Sequence, residues 1–126
     1  MLDAGLEVEH FEGEIQEKST AQNVLCKNTL EYIKENYCDS SLSLDRIGEV
    51  LGAHKNYISR LFKIAYGENL FSYVEKLRIG KACELLWDST MKIEELAAMV
   101  GYTSAASFRR AFKKVKGVSP GTFRER

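Results

Sequence analysis

A chain of 126 residues fits one compact domain or two very small ones, and a hydrophobic content of 44% is ordinary for a globular protein. Eighteen Lys and Arg balance eighteen Asp and Glu, and no apolar run approaches the roughly 20 residues of a membrane span. A single proline, nine glycines and no Asn-Gly or Asp-Gly dipeptide argue against hairpins, and composition excludes collagen, porin, long coiled coil and disulfide scaffold.

The zero net charge hides an asymmetry. Through Lys18 the chain has six acids (Asp3, Glu7, Glu9, Glu12, Glu14, Glu17) and one base, a net of −5. From Ser19 onward, 17 bases face 12 acids, a net of +5. An acidic segment therefore precedes a basic body, which points toward nucleic acid or simply toward a solvated basic surface. Met1 to Gly5 carry neither a basic n-region nor an apolar h-region, so no signal peptide is expected. Cys26, Cys38 and Cys83 are odd in number and form no CxxC pair. Buried small hydrophobes in a reducing cytoplasm are the expectation.

Residues 1–20 have weak periodicity and read as an acidic leader or interdomain linker. From Ala21 apolar residues recur every three or four positions: Leu25, Cys26, Leu30, Ile33, Tyr37. This predicts a helix over about 22–37. Leu44, Ile47, Val50 and Leu51 predict a second, capped by Ser43 and stopped by Gly52. A third covers Lys55 to Tyr66, with Ile58, Leu61, Phe62 and Ala65 on one face and Gly67 as its C-cap. A long helix over about 69–87 turns Leu70, Tyr73, Val74, Leu77, Ala82, Cys83, Leu85 and Leu86 inward. A short helix over about 93–100 ends at Gly101, and another runs from Ser104 to Lys116 before Gly117. Ser119-Pro120 opens a last turn, since proline suits the first helical position. The expectation is an all-α fold of about seven helices.

The chain contains itself twice. Leu44-x-x-Ile47-x-x-Val50-Leu51-Gly52 matches Ile93-x-x-Leu96-x-x-Met99-Val100-Gly101 at an offset of 49. Ile58 to Lys63 then matches Phe108 to Lys113 at an offset of 50, as do Gly67 with Gly117 and Tyr73 with Phe123. The second copy thus has one extra residue in its turn. Short helix, glycine-containing turn and second helix make a helix-turn-helix, whose second helix enters a DNA major groove in proteins that use it. A generic αα-hairpin shares that outline, but two copies in register are far more specific. The subdomains are expected at about 22–68 and 88–126, within a domain of 21–126. The linker helix between them, about 69–87, would be about 28 Å long against about 34 Å for one DNA turn.

Gly101 to Lys114, followed by Gly117 to Arg124, resembles the C-terminal DNA-binding domain of AraC/XylS-type transcriptional regulators. Tyr57 to Lys63, Gly67 and Arg78 to Leu86 match the first half of that family's pattern. The resemblance implies sequence-specific binding to double-stranded DNA and transcription regulation, usually activation, in a bacterial cytoplasm. It implies Asn56, Ser59 and Arg60 as base readers on the first recognition helix. On the second it implies Ala105, Ala106, Ser107, Arg109 and Arg110. Arg pairs bidentately with guanine, Asn with adenine, and Ala touches a thymine methyl. Lys113 and Lys114 fit phosphate contacts or a solvated face. Ala105 and Ala106 replace polar residues common in the family, Ser107 replaces a frequent Tyr, and His54 replaces a common N-cap Ser. RNA polymerase and an upstream sensor or receiver domain are the further partners implied, with no membrane contact by this segment.

No Ser/His/Asp set, phosphate loop or HExxH is present, and His10 and His54 are too few and too far apart for a metal site. Neither an enzyme nor a cofactor is expected. Phe62, Phe108, Phe112, Phe123 and Trp87 read as packing residues. Arg60 could instead pair with an acid such as Glu49. A protein-interaction module that keeps the fold without binding DNA remains the alternative.

Overall fold

The computed structural model describes residues 20–88 and 90–125; most of the acidic leader expected over 1–20 lies outside them. Seven helices and no strand occur among the described residues. α1 covers 20–36. It is followed by α2 (Leu44–Leu51), α3 (Lys55–Tyr66), α4 (Leu70–Asp88), α5 (Ile93–Met99), α6 (Ala105–Lys116) and α7 (Pro120–Glu125).

The repeat is a repeat of backbone chemistry. Ser104 caps α6 by accepting from the Ser107 N–H at 3.1 Å; Ser43 likewise caps α2, accepting from the Arg46 N–H at 3.1 Å, whereas its counterpart Lys92 gives α5 no side-chain cap. His54 caps α3 in place of serine, its Nδ1 accepting from the Asn56 N–H at 3.1 Å. The ring nitrogen does the work expected of a hydroxyl. Gly67 and Gly117 end α3 and α6 in the left-handed conformation, each N–H donating back to the carbonyl of Lys63 or Lys113 at 2.8 Å.

Two cores form, one in each half. Ile33, Leu42, Ile47, Ile58, Phe62, Leu70 and Val74 make the first. Ile79, Ala82, Leu86, Leu96, Ala97, Val100, Phe108, Ala111 and Phe112 make the second. Phe62 and Phe112, one repeat apart, are 1% and 0% exposed. Burying such a ring contributes about 1.5–3 kcal/mol, so this pair is a principal anchor of its halves. α5 has only seven residues and would not persist alone; Leu96 and Ala97, buried against α6, hold it.

α4 serves both cores by changing face. At about 100° per residue, Leu70, Val74 and Leu77 cluster round one direction, while Ile79, Ala82 and Leu86 cluster about 150° away. The inward set expected from the sequence is corrected in part: Ile79, outside that set, is fully buried, whereas Tyr73, Cys83 and Leu85 are only half-buried. Trp87 is 66% exposed and meets the Phe123 ring edge-on with centroids 6.1 Å apart, so it is a lid on the core's end rather than part of it.

The two turns differ as the extra residue demands. Ala53 N–H donates to the Gly48 carbonyl at 3.1 Å, and Tyr102 N–H donates to that of Ala97 at 3.0 Å, an offset of 49. A Cβ at Gly48 would lie 2.7 Å from the Ala53 carbonyl oxygen, so the tighter first turn admits only glycine there. Gly101 has φ +104, and a Cβ would meet the Tyr37 carbonyl oxygen at 2.9 Å. Gly52 has φ +68 with open space around it. Gly52→Ala should therefore cost about 1–2 kcal/mol from backbone conformation alone. Gly101→Ala should cost more, because backbone must also move. Equal unfolding midpoints for the two variants in urea would contradict this.

Between α1 and α2 the chain is pinned by Asp39. Its carboxylate accepts from the hydroxyl and backbone N–H of Ser41 at 2.7 and 2.8 Å, and from Nη1 of Arg46 at 2.7 Å. These donors, Ser41 first, hold the carboxyl down at about 2. A depressed folded-state value stabilises fully above the unfolded value of about 4 and is lost as pH falls toward about 2. Asp39→Ala should lower Tm near neutrality, with the gap to wild type closing as pH is lowered below about 4. A gap independent of pH would show that the carboxylate's charge is not what matters.

Candidate nucleic-acid interface

Each recognition helix is amphipathic, so its buried stripe defines the opposite one. On α3, Ile58 and Phe62 face the core. Asn56, Arg60 and Lys63, spaced i, i+4, i+7, lie directly opposite and are exposed. On α6, Phe108, Ala111 and Phe112 face the core, and Ala106, Arg110 and Lys113 occupy the same exposed stripe. The two stripes correspond residue for residue at an offset of 50.

Electrostatics separates this front from its flanks. Among the described residues Arg60, Lys63, Arg110 and Lys113 form no ion pair, leaving four cations free on the two fronts. Arg60 therefore does not meet Glu49. Arg109 is paired with Glu94 at 3.3 Å, and Lys114 with Glu75 of α4 at 3.4 Å. Both pairs are solvent-facing at the cation and weak enough for phosphate to displace. The Glu94 carboxyl is lowered, first by a backbone hydrogen bond at its own residue and then by Arg109. Glu94 stands in the first turn of α5, where a carboxylate is favoured by the helix dipole.

The remaining predicted residues divide by position. Ser59 is half-buried on the flank of α3. Ala105 is half-buried in the first turn of α6. Ser107 is committed to the cap, its hydroxyl donating to the Ser104 carbonyl at 3.1 Å and lying 2.9 Å from the Ser104 hydroxyl. Lys63 was not among the predicted readers, although its alignment with Lys113 in the repeat marks it. Among the described residues no cluster of three or more His, Cys, Asp or Glu could hold a metal ion, and no helix is long and apolar enough to cross a membrane.

A family profile described as a helix-turn-helix domain matches residues 47–126. The chain is 36% identical over 87 residues to a probable transcription factor, PqrA, of Proteus vulgaris, covering 69% of this chain and 71% of that one. The chain belongs to the AraC/XylS-type helix-turn-helix family. The C-terminal domain of AraT, a response regulator from Geobacillus stearothermophilus, superposes with a TM-score of 0.78 at 35% identity, over 80% of this chain and 84% of that one. A Chromobacterium violaceum transcriptional regulator with an AraC-type DNA-binding domain shares the fold, with a TM-score of 0.71 at 21% identity over 84% and 94% of the two chains. Longer curated regulators also match, and this chain spans 14% of the length of one and 39% of another. As an AraC/XylS-type domain, the chain is a DNA-binding module of transcription regulation.

Proposed function

We propose that this AraC/XylS-type domain lays α3 and α6 into successive major grooves on one face of an operator, with α4 setting their separation. The observation that carries this is the duplicated front, Asn56–Arg60–Lys63 and Ala106–Arg110–Lys113, cationic and without acidic partners among the described residues in either copy. Arg60 and Arg110 are the guanine readers and Asn56 the adenine reader, while Ala106 rests against a thymine methyl. Ser59, Ala105 and Arg109 border the groove. Ser107 holds the helix start, and Lys63, Lys113 and Lys114 take phosphates. A 19-residue α4 is about 28 Å long, close enough to one DNA turn for both helices to dock together.

The domain at 21–126 would act as the non-catalytic output module of a cytoplasmic regulator, with the acidic segment before it leading to a sensor or receiver domain. The response-regulator origin of AraT supports a receiver in that position. Activation through RNA polymerase is the mode the family resemblance favours. Hydroxyl-radical footprinting on a selected site tests the docking. Two protected patches about 10–10.5 base pairs apart on one face are expected. A single patch would leave one helix-turn-helix without a groove.

A further inference from the structure

The two cores share no residue, so the angle between the recognition helices rests on whatever crosses from one half to the other. α4 crosses, but its junction is weak. Gly80 lies just past the changeover, which falls between Leu77 of the first stripe and Ile79 of the second. A Cβ at Gly80 would meet nothing within 4 Å, so packing does not require glycine there. In a helix interior glycine is a much weaker helix former than alanine, so the helix is locally softer there.

Arg78 spans this junction. It stands about 80° round the helix from Leu70, between the two stripes. Nε donates to the Tyr37 carbonyl at 2.6 Å and Nη2 to the Asp39 carbonyl at 3.1 Å, both just beyond the end of α1 in the first half. Its guanidinium carbon sits 5.3 Å from the centroid of the Tyr102 ring, in the turn of the second helix-turn-helix. The side chain also closes over Gly101, where a Cβ would come 2.8 Å from Nε. Asp39 in turn holds Arg46 of α2 at 2.7 Å. A continuous set of contacts therefore runs from α2, through 37–41 and Arg78, to the turn before α6.

We propose that Arg78 is a positioning residue: it locks the two helix-turn-helix units at a fixed angle across the Gly80 junction and so sets the half-site spacing the domain accepts. The planar fork suits this role, because two of its nitrogens donate to carbonyls of the first half while its cationic carbon lies over the Tyr102 ring. The consequence for spacing rests on the two-groove reading above; the consequence for geometry does not.

The test has two arms. In the DNA-free protein, p-acetylphenylalanine at positions 63 and 113 carries spin labels, and double electron–electron resonance reads the distance between recognition helices. Wild type should give one narrow distribution. Arg78→Gln should broaden it, and adding Gly80→Ala should narrow it again by stiffening α4. An unchanged distribution in Arg78→Gln overturns the proposal. In the second arm, unlabelled proteins bind single half-sites and paired half-sites with spacing altered by one or two base pairs. Arg78→Gln should keep its half-site affinity, lose about tenfold on the best-spaced pair, and show a smaller penalty for altered spacing. A spacing penalty equal to that of wild type also overturns it. If wild type itself shows no spacing dependence while the distance distribution still broadens, the two-groove reading fails and the positioning role stands. Should Arg78→Gln fail to fold, Arg78→Lys takes its place in both arms with the same expected signs, since it keeps the charge but cannot hold both carbonyls in one plane.

Discussion

Inserting two alanines between Arg78 and Ile79 should abolish simultaneous docking while leaving both cores folded. Two helical residues rotate everything beyond them by about 200° and advance it by about 3 Å. The two buried stripes of α4 are already about 150° apart, so each half keeps its own stripe and its own core. What changes is the direction in which α6 points relative to α3. Arg78 stays with the first half, and the Tyr102 ring swings away from it. The gain from binding two linked half-sites is typically 10²–10⁴ over one, and that gain should vanish. The expected result is wild-type affinity for either half-site alone and a loss of about a hundredfold or more on the paired site. Thermal unfolding followed by circular dichroism should show nearly unchanged helical content. A mutant that retains the wild-type footprint and affinity would mean that α4 bends freely and sets no spacing.

Much of this arrangement is legible in the sequence because the duplication doubles every signal. Seven helices follow from periodicity and from Ser43, Gly52, Gly67 and Gly117, which punctuate it chemically. The offset change from 49 to 50 places the extra turn residue correctly. The switching stripe of α4 is not legible in the same way. Two half-stripes on nearly opposite sides cancel over nineteen residues, so no single apolar face exists to be read. Ile79 was lost for that reason. Arg109 and Lys114 look like free cations in sequence because their acids are 15 and 39 positions away and meet them only in the fold. Arg78 is similar: its carbonyl acceptors are backbone groups, 41 and 39 positions earlier, and backbone carries no sequence identity. His54 caps α3 although it is not among the usual N-cap residues, because capping needs only a side-chain acceptor and an imidazole ring nitrogen is one.

The free and the tethered cations should behave differently on DNA, and this difference separates reading from holding. Arg60 stands at the middle of the α3 front with Asn56 and Lys63, exposed and without an ion pair among the described residues. Arg60→Ala should cost about 1–3 kcal/mol on the best site and relax preference at one or two base positions, as loss of a bidentate guanine contact does. Lys113→Ala should weaken all sequences about equally and lower the salt slope by about one unit, since it releases one phosphate contact. Lys114→Ala should do the same but by less, because Glu75 already holds that ammonium and must be displaced before phosphate gains it. The α6 front offers Ala106 where α3 offers Asn56, so it reads fewer base edges by hydrogen bonds. The consensus under α3 should accordingly be the stricter one. All three variants can be measured across a randomised site library at two salt concentrations. If Arg60→Ala weakens every site uniformly, Arg60 is a phosphate clamp and sequence is read elsewhere on the front. If Lys114→Ala lowers the salt slope as much as Lys113→Ala, the Glu75 pair has no influence on how the domain meets DNA.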